Sequence, residues 1–238
     1  MCLRKINVVV VSSIKMYDLR FKNPSTFTLA GPSQCGKTTF VMNVLRNQDT
    51  LFEDPRCKQN VIYFYNQWQK SFDVLSKENI VTEWANKLPT SDDVMEKTLK
   101  FADEGGSVIV IDDFAQQLKK DTIDIFSRLS HHTNSTVFLL TQNIFSKNPV
   151  FRDISLNSTY IALFKNPRDS SQIRTFARQF APGDTDYIVD SYSQTTKKPY
   201  SYMFYDHHQA TPQILRVRSN VLPHEAPMRI YTSKKKGV

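Results

Sequence analysis

The sequence predicts an α/β fold in which a mostly parallel sheet is covered by helices on both faces. Short runs of β-branched and apolar residues alternate along the chain with segments of helical periodicity. That alternation is typical of parallel strands joined by helices. Polar clusters directly follow three of the apolar runs. Because ligands in such sheets bind at the carboxyl ends of the strands, we expect the three clusters to share one edge.

The strands are predicted by their apolar and β-branched composition. They are, in chain order, Lys5 to Ile14, Thr26 to Ala30, Val61 to Tyr65, Val108 to Ile111, Thr136 to Leu140, Thr159 to Phe164, Tyr200 to Tyr205 and Ile214 to Val217. Beyond them, Pro223 and Pro227 predict an irregular C-terminal end.

The helices are predicted by apolar residues at helical spacing and by signals at their ends. They are Thr39 to Arg46, Asp92 to Ala102, Thr122 to Ser130, Asp169 to Phe180 and Thr185 to Tyr192, with weaker periodicity from Ser71 to Pro89. Ser91 is a suitable N-cap, and acidic residues in the first turn after it favour the positive end of that helix.

The second predicted strand leads into a phosphate-binding loop. Gly31 is followed by four residues and then by Gly36-Lys37-Thr38, which is the G-x-x-x-x-G-K-[ST] motif. Lys37 can reach the β- and γ-phosphates, and the Thr38 hydroxyl can bind Mg²⁺. We expect bound ATP to contact Gly31, Pro32, Ser33, Gln34, Cys35, Gly36, Lys37, Thr38 and Thr39. Because Cys35 lies inside the loop, sensitivity of the site to thiol reagents is a further hypothesis.

Two more polar clusters can complete a hydrolytic site. Asp112 and Asp113 follow four apolar residues in a Walker B pattern, in which Asp112 would hold Mg²⁺. Asp113 would orient or deprotonate the attacking water, a feature of hydrolases rather than kinases. Gln142, at the end of the next apolar run, can hydrogen-bond both the γ-phosphate and that water.

Phosphoryl transfer also needs positive charge in the transition state, often from an arginine of a neighbouring subunit. Arg128 and Arg168 are the catalytic candidates, and Arg174 and Arg178 are alternatives. No motif selects among them.

Composition limits the classes of protein that fit. The 238 residues include three well-separated cysteines, which fits a reducing compartment and predicts neither a disulfide framework nor a metal cluster. The apolar run Val8 to Val11 is too short for a signal peptide or a membrane span, so we expect an intracellular protein without a membrane partner.

Most of the net charge of +8 lies near the C-terminus, where eight basic residues from Lys197 onward face two acidic ones. A basic end of this kind suits a polyanion such as nucleic acid, or a solvated surface. We therefore divide the chain into an ATPase domain, residues 1–205, and a basic extension, residues 206–238.

Four stretches together resemble a known family: AGPSQCGKTTF, SVIVIDDF, STVFLLTQNIF and YIALFKNPRD. From Thr26 to Tyr205 the chain resembles the viral genome-packaging ATPases of the HerA–FtsK superfamily, above all the poxvirus-type enzymes of polintons, adintoviruses and virophages. The resemblance implies that the Gln142 strand lies between the phosphate-loop and Walker B strands. It also implies a homo-oligomeric ring around double-stranded DNA, with each ATP site at a subunit boundary. The second Walker B acid is often Glu in that family and is Asp113 here.

The predicted function is an ATP-driven translocase that packages a viral genome into a preformed capsid, with a capsid or portal component as partner. It would act in the host nucleus or cytoplasm, where virions assemble. Asn66 to Lys70 and Asn143 to Arg152 are candidate pore loops. The alternatives are another DNA pump or helicase-like ATPase of the superfamily and a slow nucleotide-gated binding protein. A small-molecule kinase is disfavoured by the acid pair.

Overall fold

The computed structural model describes residues 6–10, 17–54, 60–144, 149–167 and 171–234. Its strands are β1 (Ile6–Val10), β2 (Thr26–Ala30), β3 (Val61–Tyr65), β4 (Glu83–Ala85), β5 (Val108–Asp112), β6 (Thr136–Thr141), β7 (Tyr160–Phe164), β8 (Tyr202–Asp206), β9 (Val217–Ser219) and β10 (Arg229–Ser233). Its α-helices are α1 (Lys37–Arg46), α2 (Gln48–Leu51), α3 (Phe72–Lys77), α4 (Ser91–Thr98), α5 (Lys120–Asp124), α6 (Ser130–His132), α7 (Val150–Leu156), α8 (Ser171–Phe180) and α9 (Thr185–Thr195).

All ten of these strands form one sheet, in the order β1-β10-β9-β8-β7-β2-β6-β5-β3-β4. Neighbours from β4 to β7 are parallel, whereas β8, β9, β10 and β1 continue the sheet antiparallel. The predicted α/β fold is confirmed, and β6 lies between β2 and β5, as the family resemblance implies.

Alternate residues of the central strands enter apolar cores on the two faces of the sheet. Phe27, Leu29 and Val110 pack with α1 on one face. On the other face, Ile109 and Ile111 pack with residues of α4, α5 and α7, while β7 and β8 pack with α8 and α9. Helices therefore cover the sheet on both sides, and the central strands are buried throughout.

The C-terminal region differs from the prediction. The irregular end expected after Pro223 is wrong for residues 229–233, which form β10 between β9 and β1. The strand expected over Ile214 to Val217 is instead a short 3₁₀-helix, Gln213–Leu215, followed by β9. The division into an ATPase domain, residues 1–205, and an extension stays a prediction; strands on both sides of residue 205 belong to one sheet.

Three helical segments also differ in detail. The stretch with weak periodicity forms α3 and then the short edge strand β4. The N-cap of α4 is Thr90, whose capping box with Asp93 replaces the predicted cap at Ser91. The helix predicted over Thr122 to Ser130 runs from α5 through a π-helical segment, Ile125–Leu129, into α6. Within the described ranges, no helix has both the length and the apolarity to cross a bilayer.

Candidate nucleotide-binding site

Three parallel strands end beside one another. Ala30 lies opposite Thr141 in the β2–β6 pair, and Leu140 lies opposite Asp112 in the β6–β5 pair. The residues that follow these strands enter one cleft of about 820 Å³. Among the residues that line the cleft are members of all three predicted clusters, namely Lys37, Thr38, Asp112, Asp113 and Gln142.

Two glycines shape the phosphate loop. A Cβ atom on Gly31 would lie 2.7 Å from the Cβ of Phe164, so only glycine fits between the loop and β7. Gly36 has a φ of 105°, a conformation that side chains oppose, and it directly precedes α1. No acidic residue occupies the first turn of α1, so its positive end is left for an anion.

The ammonium group of Lys37 lies over the loop. It donates hydrogen bonds to the carbonyl oxygens of Gly31, at 2.7 Å, and Pro32, at 2.9 Å. Among the predicted loop residues, Ser33, Gln34, Gly36, Thr38 and Thr39 line the cleft with Lys37. The loop therefore presents one cation and a helix terminus to the same space, which is the chemistry that binds phosphate.

Asp112 has the surroundings of a metal-binding carboxylate. It is only 4% exposed, and its Oδ2 accepts hydrogen bonds from Tyr63, at 2.9 Å, and Thr38, at 3.4 Å. Burial raises the pKa of Asp112 to about 6, against the opposing effects of the Tyr63 hydrogen bond and the Lys37 charge. A buried carboxyl group of this kind is stabilised as an anion by a nearby cation.

Thr38 and Asp112 fit a Mg²⁺ site. Mg²⁺ prefers oxygen ligands and is often held by only one or two protein groups, with phosphate oxygens and waters completing the octahedron. The Thr38 hydroxyl and the Asp112 carboxylate lie side by side at the end of the phosphate loop, which suits that arrangement. They are the residues that would hold the ion.

Asp113 and Gln142 approach each other from neighbouring strand ends. The Gln142 side-chain amide donates towards Oδ1 of Asp113 over 3.5 Å, the outer limit of a hydrogen bond. Asp113 has a φ of 64°, so the chain turns sharply out of β5 at this residue. The two side chains that were predicted to act on water therefore lie together in the cleft.

The hypothesis of a thiol-sensitive site is not supported by the position of Cys35. Its side chain is buried, and burial raises the pKa of the thiol although the charge of Lys37 opposes that shift. Thiol reagents attack the thiolate, so a buried thiol with a raised pKa is poorly reactive.

None of the candidate arginines in the described ranges lines the cleft. Arg128 forms an ion pair with Asp124 one helical turn away, at 2.7 Å, and is largely exposed. Arg168 lies outside the described residues. In the described part of the chain, the cleft is lined by Lys37 and by no arginine.

Several residues at the cleft had no motif to identify them. Tyr63 reaches Asp112 from the adjacent strand β3, and only its place inside an apolar strand run could have pointed to it. Tyr200 borders the cleft beside the phosphate loop. Trp68 and its two neighbours line the cleft wall, within the first predicted pore segment. In the second pore segment, residues 145–148 lie outside the described residues.

Comparison with known proteins identifies the fold. No family model and no curated protein sequence matches the chain. The chain is similar to the genome-packaging NTPase B204 of Sulfolobus turreted icosahedral virus 2, solved with ATPγS. The TM-score is 0.54 and the identity 16%, over 79% of this chain and 94% of that one.

Two further likenesses are weaker. EssC (ATPases 2 and 3) from Geobacillus thermodenitrificans has a TM-score of 0.47 and 10% identity, over 90% of this chain and 41% of that one. The pCW3 conjugation coupling protein TcpA has a TM-score of 0.46 and 14% identity, over 87% and 64%. Both TM-scores are below 0.5, so only the first likeness bears on the fold. The chain therefore has the α/β fold of the P-loop NTPases, in an arrangement also found in a viral genome-packaging NTPase.

Proposed function

We propose that this protein is an ATP-driven double-stranded DNA translocase that packages a viral genome into a capsid. The observation that supports it best is the meeting of the phosphate loop, the acid pair and Gln142 in one cleft. The likeness to a genome-packaging NTPase adds support at the level of the fold.

In this proposal five residues of the cleft each have a role in hydrolysis. Lys37 binds the β- and γ-phosphates, and Thr38 and Asp112 would hold Mg²⁺, which when bound would stabilise charge in the transition state. Asp113 orients the attacking water and accepts its proton. Gln142, within reach of Asp113, contacts the γ-phosphate and therefore responds to its loss.

The ring is a second part of the proposal. Besides the lysine of the phosphate loop, an ATPase of this kind often uses an arginine to stabilise the transition state, and no arginine is among the described residues that line the cleft. Arg128 is exposed at the surface. In a ring it would leave its ion pair with Asp124 and enter the cleft of a neighbouring subunit. Arg168 is the alternative. The partners would be double-stranded DNA, bound in the ring, and a capsid or portal component. The protein would act inside the infected cell.

A triplex-displacement assay tests translocation. A motor that tracks along double-stranded DNA removes a third-strand oligonucleotide without separating the duplex, whereas a helicase separates the duplex strands. We expect ATP-dependent release of the third strand by the wild type and none by Lys37→Ala. Strand separation without third-strand release favours the helicase-like alternative, and release of neither strand contradicts the proposal.

The slow nucleotide-gated binding protein remains a second candidate because of Asp113. Its carboxylate is one methylene shorter than the glutamate often found there, and it lies 3.5 Å from the Gln142 amide. In a single-turnover measurement, ATP that stays bound and intact for hours favours this candidate. Rapid release of phosphate favours the motor.

A further inference from the structure

The cleft extends beyond the phosphate loop into a region that the proposed hydrolysis does not use. This outer half of the cleft is formed by residues before and within β8 and by residues after β9, namely Tyr200, Tyr202, Leu222, His224 and Glu225. It adjoins α1, from which Thr39 and Asn43 also line the cleft. A nucleotide whose phosphates lie on the loop must place its base on one side of that loop.

Tyr200 has three properties of a ligand-contacting aromatic residue. The residue is 71% exposed, so its ring is open to contact with a ligand. Its φ is 61°, a strained value for a bulky residue, and strain of this kind concentrates at ligand-binding positions. Its Cβ lies only 3.7 Å from where a Cβ on Gly36 would be. Tyr200 therefore lies next to the phosphate loop and lines the same cleft.

The floor of the outer half is rigid. The ring of Tyr202 packs edge-to-face against Phe40, with centroids 5.1 Å apart, and lies 5.3 Å from Phe164. Its hydroxyl donates a hydrogen bond to Oε2 of Glu225 at 2.7 Å. The backbone N–H of Leu222 donates to the same oxygen at 3.1 Å. Glu225 is thus held through Oε2, and no described residue donates a hydrogen bond to its Oε1.

We propose that the outer half of the cleft is the nucleobase subsite, in which Tyr200 stacks on the base and Glu225 selects adenine. This inference rests on the proposed binding of a nucleoside triphosphate. The second oxygen of Glu225 can only accept a hydrogen bond, so it suits the exocyclic amine of adenine. The 6-oxo group of guanine is an acceptor in the same place and would be repelled.

Stacking is tested by direct binding with two probes, Mg-ATP and inorganic Mg-tripolyphosphate, which has no base. We expect Tyr200→Ala to weaken ATP binding roughly 5- to 100-fold, the usual range for losing one aromatic–base stack. Binding of tripolyphosphate should be unchanged, and Tyr200→Phe, which keeps the ring, should bind ATP as the wild type does. An equal loss for both probes, or no loss for either, would overturn the role of Tyr200.

Selectivity is tested by Glu225→Gln. The amide oxygen of glutamine can still accept from Tyr202 and Leu222, which preserves the fold, while the amide nitrogen presents a donor to the base. We expect the preference for ATP over GTP to fall about tenfold or more, because a partly buried acceptor is replaced by a donor. An unchanged ratio in a variant of wild-type melting temperature would overturn the role of Glu225.

Failure of this inference can be separated from failure of the proposed function. If the wild type binds neither ATP nor tripolyphosphate, both fail. If it binds ATP and releases the third strand of a triplex, yet Tyr200→Ala binds ATP as tightly as the wild type, only the nucleobase subsite is wrong.

Discussion

The carboxyl group of Asp112 has to be buried and yet able to carry a charge. Its place at the end of β5 removes it from water, and burial raises its pKa to about 6. The hydrogen bonds from Tyr63 and Thr38 and the charge of Lys37 all favour the anion. They therefore oppose the rise in pKa that burial causes. Groups around a ligand carboxylate fix its orientation, and losing one typically lowers metal affinity or activity about 10- to 100-fold.

Removing the Tyr63 hydroxyl should therefore weaken the use of Mg²⁺. In Tyr63→Phe we expect the Mg²⁺ concentration for half-maximal ATP hydrolysis to rise about tenfold, the lower end of the effect of outer-shell changes. The matched control is Tyr65→Phe, two residues along the same strand, whose ring packs against Phe72 and Trp84. A Mg²⁺ dependence equal in both variants would show that Tyr63 does not position Asp112.

A second group with a shifted pKa bears on stability rather than on activity. His207 packs between the rings of Phe180 and Tyr205, and burial, aided by the charge of Arg216, lowers its pKa from 6.5 to about 4. Between pH 6.5 and 4, His207 binds a proton in the unfolded chain but stays neutral in the folded chain. Stability contributed by the neutral imidazole is therefore complete above pH 6.5 and is lost as the pH falls towards 4.

This loss can reach about 3 kcal/mol at pH 4, from the size of the shift. We expect His207→Gln, which has no group that titrates there, to show a flatter dependence of unfolding free energy on pH between 6.5 and 4. The exposed His132 provides the control, and His132→Gln should keep the wild-type slope. Chemical denaturation at several pH values measures both, and an unchanged slope in His207→Gln contradicts the assignment.

At the scale of elements, a buried ion pair joins two neighbouring strands in the antiparallel end of the sheet. Arg218 of β9 and Asp206 at the end of β8 are both almost fully buried and form a hydrogen-bonded salt bridge. Arg218 also donates to the backbone oxygen of Leu19 at 3.1 Å. Part of the basic charge that suggested a polyanion partner is therefore neutralised inside the fold.

Breaking this pair should destabilise the whole sheet. Asp206→Asn leaves the Arg218 charge buried without compensation, and such losses cost about 3–5 kcal/mol. For a chain of this size we expect the melting temperature to fall by roughly 10 °C. Asp103→Asn, at an exposed turn, should leave it unchanged. A shift no larger than that of the control would show that the pair contributes little.

The elements that the sequence predicts well are those defined by local pattern. The central strands β2, β3, β5, β6 and β7 are short runs of apolar and β-branched residues, so their composition identifies them. Strand β4 has three residues, Glu83–Ala85, and no apolar run. It lies at the edge of the sheet, where pairing with β3 holds it in place. Strand β10 follows two prolines and is fixed by pairing with β1, more than two hundred residues away.

The residues of the site likewise fall into those that a local pattern predicts and those that it does not. A spacing motif identifies Lys37 and Thr38, and strand-end position identifies Asp112 and Gln142, because each signal is local in the chain. Tyr63 becomes part of the site only through the β3–β5 pairing, and Tyr200 only through its approach to Gly36. Contacts between distant segments leave no periodic signal in a single sequence, so these two residues could not be predicted.

At the scale of the whole molecule, the proposed ring can be tested by mixing subunits. Lys37→Ala removes the phosphate cation of its own cleft, and Arg128→Ala removes the charge offered to a neighbour. In an equal mixture of the two inactive variants, about one quarter of the boundaries combine an intact Lys37 with an intact Arg128. We expect ATPase activity to return to a comparable fraction.

The control for this mixture is Arg46→Ala, which also removes an arginine from an ion pair, here with Glu78. That variant should be active alone. Full activity of Arg128→Ala by itself, or no recovery on mixing, excludes Arg128 as the residue that acts across the boundary and leaves Arg168 as the next to be tested.

The most direct test of the account is the rate of ATP hydrolysis with and without double-stranded DNA, measured together with the mass of the particle. If the cleft of Lys37, Asp112 and Gln142 drives a DNA motor, DNA should raise the rate several-fold in the assembled particle, and Lys37→Ala should abolish both the basal and the stimulated rate. An assembled particle whose ATP hydrolysis is indifferent to DNA, or a Lys37→Ala variant that still hydrolyses ATP, would contradict it.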